Sequence, residues 1–442
     1  MHTTSPEHKI ASNITEGIPA DTTTTSPPAA QEQRKTRALF ILPASLALIM
    51  TGFGIIIPVF PQRLEALGLG AGTLALMEGA FGLGTFLFST PMGVLANRFG
   101  RKPLVLLALI GFILTNLMLA FVNGPLFFIG IRFLEGALVA GFMPASMAMV
   151  GDAVPLEKQG RWMGVMTTAQ AGGIALGPAI GGVLYQSWGF TSPFLLSAAF
   201  ALVSSLLALV LLPETLPEQV RAQAQLRKEE KQRGEKGHAT TSLVSLALLF
   251  APLLLIDLGA VFVYPFSLPQ YPFFFEKTLH YDAAQYGLII SAYGLTLAVF
   301  PLILGRLSDM LPKKLLVVLG CLLGAALNLA MLLLHQYALL IAAAVITGVG
   351  SALYMPAIST IYLNATSDQN RSQLMGIRST AISLALLLAP LAQAGAGPWI
   401  TPPITFAIAS GLSIVMTLFA AIVLKNPQQN TPENTPAPNG DR

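Results

Sequence analysis

Four ionisable residues stand inside stretches otherwise apolar enough to cross a lipid bilayer: Glu78, Arg132, Glu135 and Asp257. Charge at that depth is costly, so such residues are functional candidates for proton coupling or substrate binding. Arg132 and Glu135 are three positions apart and share a helix face. A carboxyl group out of water holds its proton more tightly, and a nearby cation reverses that. A glutamate beside an arginine, in a cavity that periodically rehydrates, can therefore take up and release a proton. The competing reading is a structural ion pair of Arg132 with Glu78 or Glu135, joining two helices. Asp257 has no evident cation, which makes it a second proton or cation candidate after Glu135. Arg378 reads as part of a basic band at a helix end.

The elements that position these residues follow from composition. Of 442 residues only 10% are charged and 54% are hydrophobic, against roughly 25% charged in ordinary globular domains. A hydrocarbon core of ~30 Å needs about 20 apolar residues per helix. Twelve such runs occur: 39–60, 74–95, 103–123, 125–150, 162–186, 191–213, 243–265, 284–305, 315–335, 337–363, 372–395 and 403–424. The chain therefore reads as an all-α membrane protein with a bundle over 37–213, a linker over 214–241 and a bundle over 242–425. The polar stretches 1–36 and 426–442 read as disordered tails.

The net charge of +4 does not point to nucleic acid, because its placement reports topology. Arg63 and Lys277 are the basic residues in loops on one side. Arg98, Arg101, Lys102, Lys158, the run from Arg221 to Lys236, Arg306, Lys313 and Lys314 fall on the other. The positive-inside rule puts both termini and the linker in the cytoplasm. The aromatic stretch Tyr271–Phe275 is expected at the outer interface. Cys321, the only cysteine, excludes an intramolecular disulfide. No GxSxG, HExxH, CxxC or GxxxxGK motif is present, so neither an enzyme, a metal site nor a nucleotide cofactor is expected, and work must draw on an ion gradient.

The halves are a repeat. At a constant offset of 212 residues Gly82 meets Gly294, Gly93 meets Gly305, Asn116 meets Asn328, Gly136 meets Gly348 and Pro178 meets Pro390. Glycines and prolines matching without a gap imply equivalent backbone shapes, hence two pseudo-symmetric six-helix bundles duplicated in parallel.

Four motifs sit on this frame. The fifth run carries Gly164, Gly173, Gly177, Pro178, Gly181 and Gly182; three of its glycines recur every fourth position and let a neighbouring backbone come close, with a bend expected at Pro178. The first run carries Gly52, Pro58 and Pro61. The loop after the second reads Gly93, Asn97, Arg98, Gly100, Arg101, Lys102, and Asp152 stands just past the fourth run, where the resemblance named below implies an acidic partner for that loop. Its repeat has Gly305, Asp309, Lys313 and Lys314. These spacings resemble the antiporter, first-helix and hallmark-loop motifs of the major facilitator superfamily, and most closely its twelve-helix drug:proton antiporter group. The family's loop usually has aspartate where this chain has Asn97, and its fourth-helix motif has glutamine where this chain has Glu135.

The resemblance implies a secondary transporter in the cell membrane, a likeness that would make the chain an efflux antiporter. It implies a small hydrophobic or amphiphilic substrate, protons as the coupling ion, the bilayer as environment, a monomer, and a cavity alternating between faces. By the same likeness the glycine helix is gate and packing hinge, and Arg132 with its neighbours the coupling site. A proton-coupled importer, a sugar or metabolite exporter of the same fold, and a non-transporting receptor stay open. Labels placed near Arg101, Lys231 and Lys313 should all be inaccessible from outside intact cells; reaching any one of them from outside overturns the twelve-span topology.

Overall fold

The computed structural model describes residues 28–154, 156–214, 243–365 and 368–424, and among these every regular element is helical. The expected disorder of the outer tails, the linker 214–241 beyond Glu214, and the side-chain contacts of Asn97, Arg98, Asp152 and Asp309 lie outside the described residues.

Among the described residues twelve helical spans run in order. They are α1 (Pro28–Ile56, resumed as Phe60–Ala66), α2 (Ala71–Phe99), α3 (Arg101–Phe121), α4 (Pro125–Val139, resumed as Phe142–Ala153), α5 (Leu156–Trp188) and α6 (Thr191–Leu211). The second half has α7 (Leu243–Leu249, Ala251–Ser267 and Tyr271–Lys277), α8 (Ala283–Met310) and α9 (Lys313–Gly324, resumed as Ala326–Leu333). It ends with α10 (Tyr337–Asn364), α11 (Asp368–Gly395) and α12 (Pro402–Val423). Eleven are long and apolar enough to cross a membrane by composition. The exception is α5, whose 33 residues are ample in length but diluted by glycine, threonine and glutamine.

Two boundaries differ from expectation. Helix α1 begins at Pro28, inside the expected tail 1–36. Proline suits a first helical position, and the Ala, Gln, Glu, Arg and Lys that follow are strong helix formers, so the span propagates backwards. At its other end α1 continues to Ala66, with Pro58 in the break and Pro61 in the first turn of the second piece. The expected interfacial belt Tyr271–Phe275 is instead core: all five side chains are buried, with Phe274 against Phe406 of α12 and Phe275 against Tyr286 of α8. The side chains that do face outward include Leu126, Val210 and Ile422, as a lipid-solvated surface requires.

The repeat is visible in the packing. Within the first half α1 packs on α5 and α6, α2 on α4, and α3 on α4 and α6; the second half makes the same pairings six spans later. Gly136 lies against the Phe81 carbonyl, and its counterpart Gly348 against the carbonyl of Tyr293, the counterpart of Phe81. The halves meet along two equivalent seams, α2 with α11 and α5 with α8. Gly82 lies against the backbone of Leu386 and Leu387, and its counterpart Gly294 against that of Ala175. The match is not complete: α9 breaks near Ala325 while α3 runs unbroken, and α4 breaks near Gly141 while α10 does not.

The glycine motif on α5 serves two seams. Gly173, Gly177 and Gly181 press on the backbone of α1 at Ala47, Gly54 and Ile55, and a Cβ added at Gly177 would stand 2.5 Å from the Gly54 Cα. Gly182 presses on Ala283 of α8, and Gly287 of α8 presses on the Pro178 carbonyl. The helix runs unbroken through Pro178, and the Ala179 N–H donates to Ser291 Oγ across the seam at 3.0 Å. Gly164 is exposed with open space around it and takes no part. Gly52 has its own role: a Cβ there would stand 3.0 Å from the Phe112 ring, and its carbonyl accepts from Ser197 Oγ at 3.0 Å.

In the hallmark loop Gly100 has φ of 109°, which glycine tolerates without strain, and links α2 to α3. The N-terminus of α3 is capped by Glu214, whose two carboxylate oxygens accept from the backbone N–H groups of Arg101 and Lys102 at 3.1 Å each. Anions are favoured at a helix N-terminus, so Glu214 stabilises the start of α3 from a position not anticipated in the sequence. Replacing Gly177 by leucine should hold α1 and α5 apart and lower the midpoint of thermal unfolding in detergent. Gly164→Leu should leave it unchanged, and equal midpoints for the two variants would show that the α1–α5 seam is not tight.

Candidate functional site

A cavity of about 460 Å³ lies between the halves. Its first-half wall carries Phe53 and Ile57 from α1, Glu78 and Phe81 from α2 and Arg132 from α4; the second half contributes Tyr264 and Tyr286. A smaller cavity of about 240 Å³ adjoins it along the α2–α11 seam and shares Glu78, Phe81 and Tyr264.

Three of the four sequence candidates meet on one wall. Glu78 and Arg132 each lie about 10 Å into their helices at ~1.5 Å per residue, and the tight crossing at Gly136 brings α2 and α4 together there. Arg132 Nη2 donates to both Glu78 oxygens at 2.9 and 3.0 Å, and Nη1 to Glu135 Oε2 at 2.9 Å. The guanidinium lies 4.4 Å over the Phe81 ring, a contact that strengthens in desolvated surroundings. The pairing expected as a structural alternative is therefore present, and it involves both glutamates at once.

Access separates the two glutamates. Glu135 is fully buried and lines neither cavity, whereas the Glu78 side chain is 25% exposed and lines both. Glu135 Oε1 and Arg132 Nε have no hydrogen-bond partner among the described residues. Glu78, ranked last of the three acids in the sequence, is the one that a cavity solute can touch.

Asp257 is not alone, contrary to expectation. Its Oδ2 accepts from Arg378 Nε at 2.5 Å and its Oδ1 from the Tyr354 hydroxyl at 2.7 Å. Arg378 also donates to Ser359 Oγ and lies 5.0 Å from the Tyr362 ring. The cation assigned to a basic band is thus the partner of a buried acid, brought over by the α7–α11 packing. The usable signal was the rule that a lone acid in a span needs a cation, with Arg378 the span cation left over. Unlike the first cluster this one is balanced, one carboxylate to one guanidinium. No group of three or more metal-ligating side chains occurs among the described residues.

Two six-helix halves around a central cavity with ionisable groups on its wall define a class, the multi-pass membrane transporters. The chain belongs to the Major Facilitator Superfamily, whose family model matches residues 44–275 and again 253–441. It is 25% identical over 363 residues to multidrug resistance protein 2 of Bacillus subtilis, covering 81% of this chain and 88% of that one. It is 25% identical over 391 residues to multidrug resistance protein MdtG of Klebsiella pneumoniae, covering 86% and 92%. The structure of a D-xylose-proton symporter superposes with a TM-score of 0.70 at 17% identity, covering 88% of this chain and 98% of that one, which is a likeness of fold. The protein is accordingly a transporter rather than an enzyme.

Breaking a buried pair by removing one partner costs ~3–5 kcal/mol, while replacing both by apolar residues is often neutral. Asp257→Leu or Arg378→Leu alone should therefore lower the unfolding midpoint, and the double variant should recover most of the loss. Additive losses in that cycle would show that the two groups are not coupled.

Proposed function

We propose that the chain is a proton-coupled exporter that moves a small hydrophobic or amphiphilic monovalent cation out of the cell by alternating access. The observation that carries this reading is the charge balance of the cavity wall, where Glu78 and Glu135 share the single Arg132. With all three ionised, one negative charge is left over in a low-dielectric site. Uncompensated buried charge is expensive, and either of two partners removes it: a proton on Glu78 or a cationic solute beside it. Both together would leave an excess positive charge, so loading one favours release of the other. That is the competition an antiporter needs.

The rest of the wall, with Phe53, Phe81 and Ile57, suits the apolar body of such a compound. The bacterial relatives are named as multidrug resistance proteins, which supports a transporter of varied drugs. Among the described residues, close backbone contacts across the α2–α11 and α5–α8 seams lie toward the end that carries residues 67–70 and 278–282, where Lys277 also pairs with Glu65 across the halves at 3.2 Å. Rocking about those seams would close the hallmark-loop end and open this one. On this reading the loops at the hallmark end and both termini are cytoplasmic, the protein sits in the cell membrane as a monomer, and a proton gradient supplies the energy without a cofactor.

In proteoliposomes with an imposed pH gradient, the wild-type chain should accumulate a lipophilic cation. Glu78→Gln should abolish that accumulation, and Glu135→Gln, which removes the same charge one shell back, should weaken it less. Gradient-driven accumulation by Glu78→Gln at the wild-type level would sink the assignment.

A further inference from the structure

Each half ends its first span in a separate seven-residue helix, Phe60–Ala66 in α1 and Tyr271–Lys277 in α7. At the repeat offset of 212 residues Glu65 meets Lys277. The two equivalent positions also meet in space, with Lys277 Nζ 3.2 Å from Glu65 Oε1 across the halves. A residue and its own equivalent come together only near the axis that relates the repeats, so this pair marks the centre of that end of the molecule. Identical residues there would set like charges against each other; divergence has made them opposite.

The neighbouring Glu276 has no acidic counterpart, because its equivalent is Leu64, which is fully buried. The half-buried Glu276 carboxyl lies within hydrogen-bonding reach of the Glu65 carboxyl. Two acids, one from each half, therefore share the single ammonium of Lys277. Glu65 Oε2 is buried and has no donor among the described residues. Arg63, the other cation nearby, is engaged within the first half: it donates to Asn123 Oδ1 and lies 5.0 Å over the Phe190 ring. Tyr185 of α5 stands in the fields of both Glu276 and Arg63 and is the remaining ionisable group there among the described residues. Two ionised carboxylates in contact repel, and one proton between them turns the repulsion into a hydrogen bond.

We propose that Glu65, Glu276 and Lys277 form a proton-sensitive latch between the halves: one proton held by the two carboxyls keeps this end shut, and its loss lets the halves part. On the proposed topology this end faces outside, so the proton comes from the external medium. Parting the halves hydrates each carboxyl separately and ends the sharing. The closed form therefore binds the proton more tightly, and by linkage acid favours closure. The latch is separate from the Glu78 cluster on the central cavity. It sets the resting balance between closed and open forms from the outer side, whichever group carries the coupling proton.

The test measures the distance between spin labels on cysteines placed at the exposed positions Leu67 and Thr278, on opposite halves of this end, in the purified full chain with Cys321→Ala. It is run in Glu78→Gln, so that titration of Glu78 does not contribute. Between about pH 5 and about pH 8, a span that brackets a carboxyl pair, the ratio of short to long distances should fall about tenfold, the linkage of a one-unit difference in proton affinity. Glu276→Gln supplies a permanent donor to Glu65 and should keep the short distance at both pH values. Glu276→Ala removes the second acid and should likewise lose the response to pH. An unchanged distance distribution across this range, or a response that survives both substitutions, would overturn the latch. Either result leaves the antiport reading standing, because that reading is decided by gradient-driven accumulation and not by closure of this end.

Discussion

Close approach of backbones is the constraint on which the rest of this molecule depends. In lipid there is no hydrophobic gain from pressing one apolar helix on another, so association relies on packing distance and on hydrogen bonds. Helix α5 meets this on two sides, with Gly173, Gly177 and Gly181 against α1 and with Gly182 and the Pro178 carbonyl against α8. One helix thereby fixes both the interior of the first half and its seam to the second. Leucine-like bulk on the α5 faces would separate elements that carry the cavity wall, since Phe53 and Ile57 of α1 stand on that wall.

The same economy governs charge. Among the described residues two buried ionic clusters stand, one in each half, and they differ in balance. Asp257 with Arg378 is neutral as a pair and is completed by the Tyr354 hydroxyl. Glu78, Arg132 and Glu135 carry one carboxylate too many, and the surplus opens on a cavity through Glu78. A balanced pair can serve as a fastening between α7 and α11. An unbalanced one in low dielectric is unsatisfied without a mobile partner. The distinction is arithmetic and geometric together, because the surplus matters only where a proton or a solute can reach it.

Duplication supplies the frame and divergence supplies the site. Gly82 and Gly294 hold equivalent seams, as do Gly136 and Gly348 the α2–α4 and α8–α10 crossings. Neither ionic cluster is repeated: the positions matching Glu78, Arg132 and Glu135 are Ile290, Ala344 and Thr347. The cavity therefore has unlike walls, acid and arginine on one side and phenols on the other. A solute between them meets different chemistry on each half, which a perfectly symmetric pair of bundles could not offer.

The twelve spans, the duplication and the tight face of α5 were legible in the chain alone, because each follows from local periodicity: apolar run length, a constant offset of glycines and prolines, and glycine every fourth residue. The start of α1 at Pro28 was misplaced because a polar helix extending from a span has the composition of a tail. The core burial of Tyr271–Phe275 was misread since aromatic residues suit an interface and a helix core alike. The membrane acids could also be named from sequence, but not their standing. That Glu78 rather than Glu135 faces the cavity depends on how far α4 rotates against α2. That Asp257 meets Arg378 depends on α7 packing on α11 across 121 residues of chain. Side-chain type and spacing decide what a residue can do, and both are local. Which partner it meets and whether water reaches it are set by contacts between distant spans, and only the tertiary structure decides those.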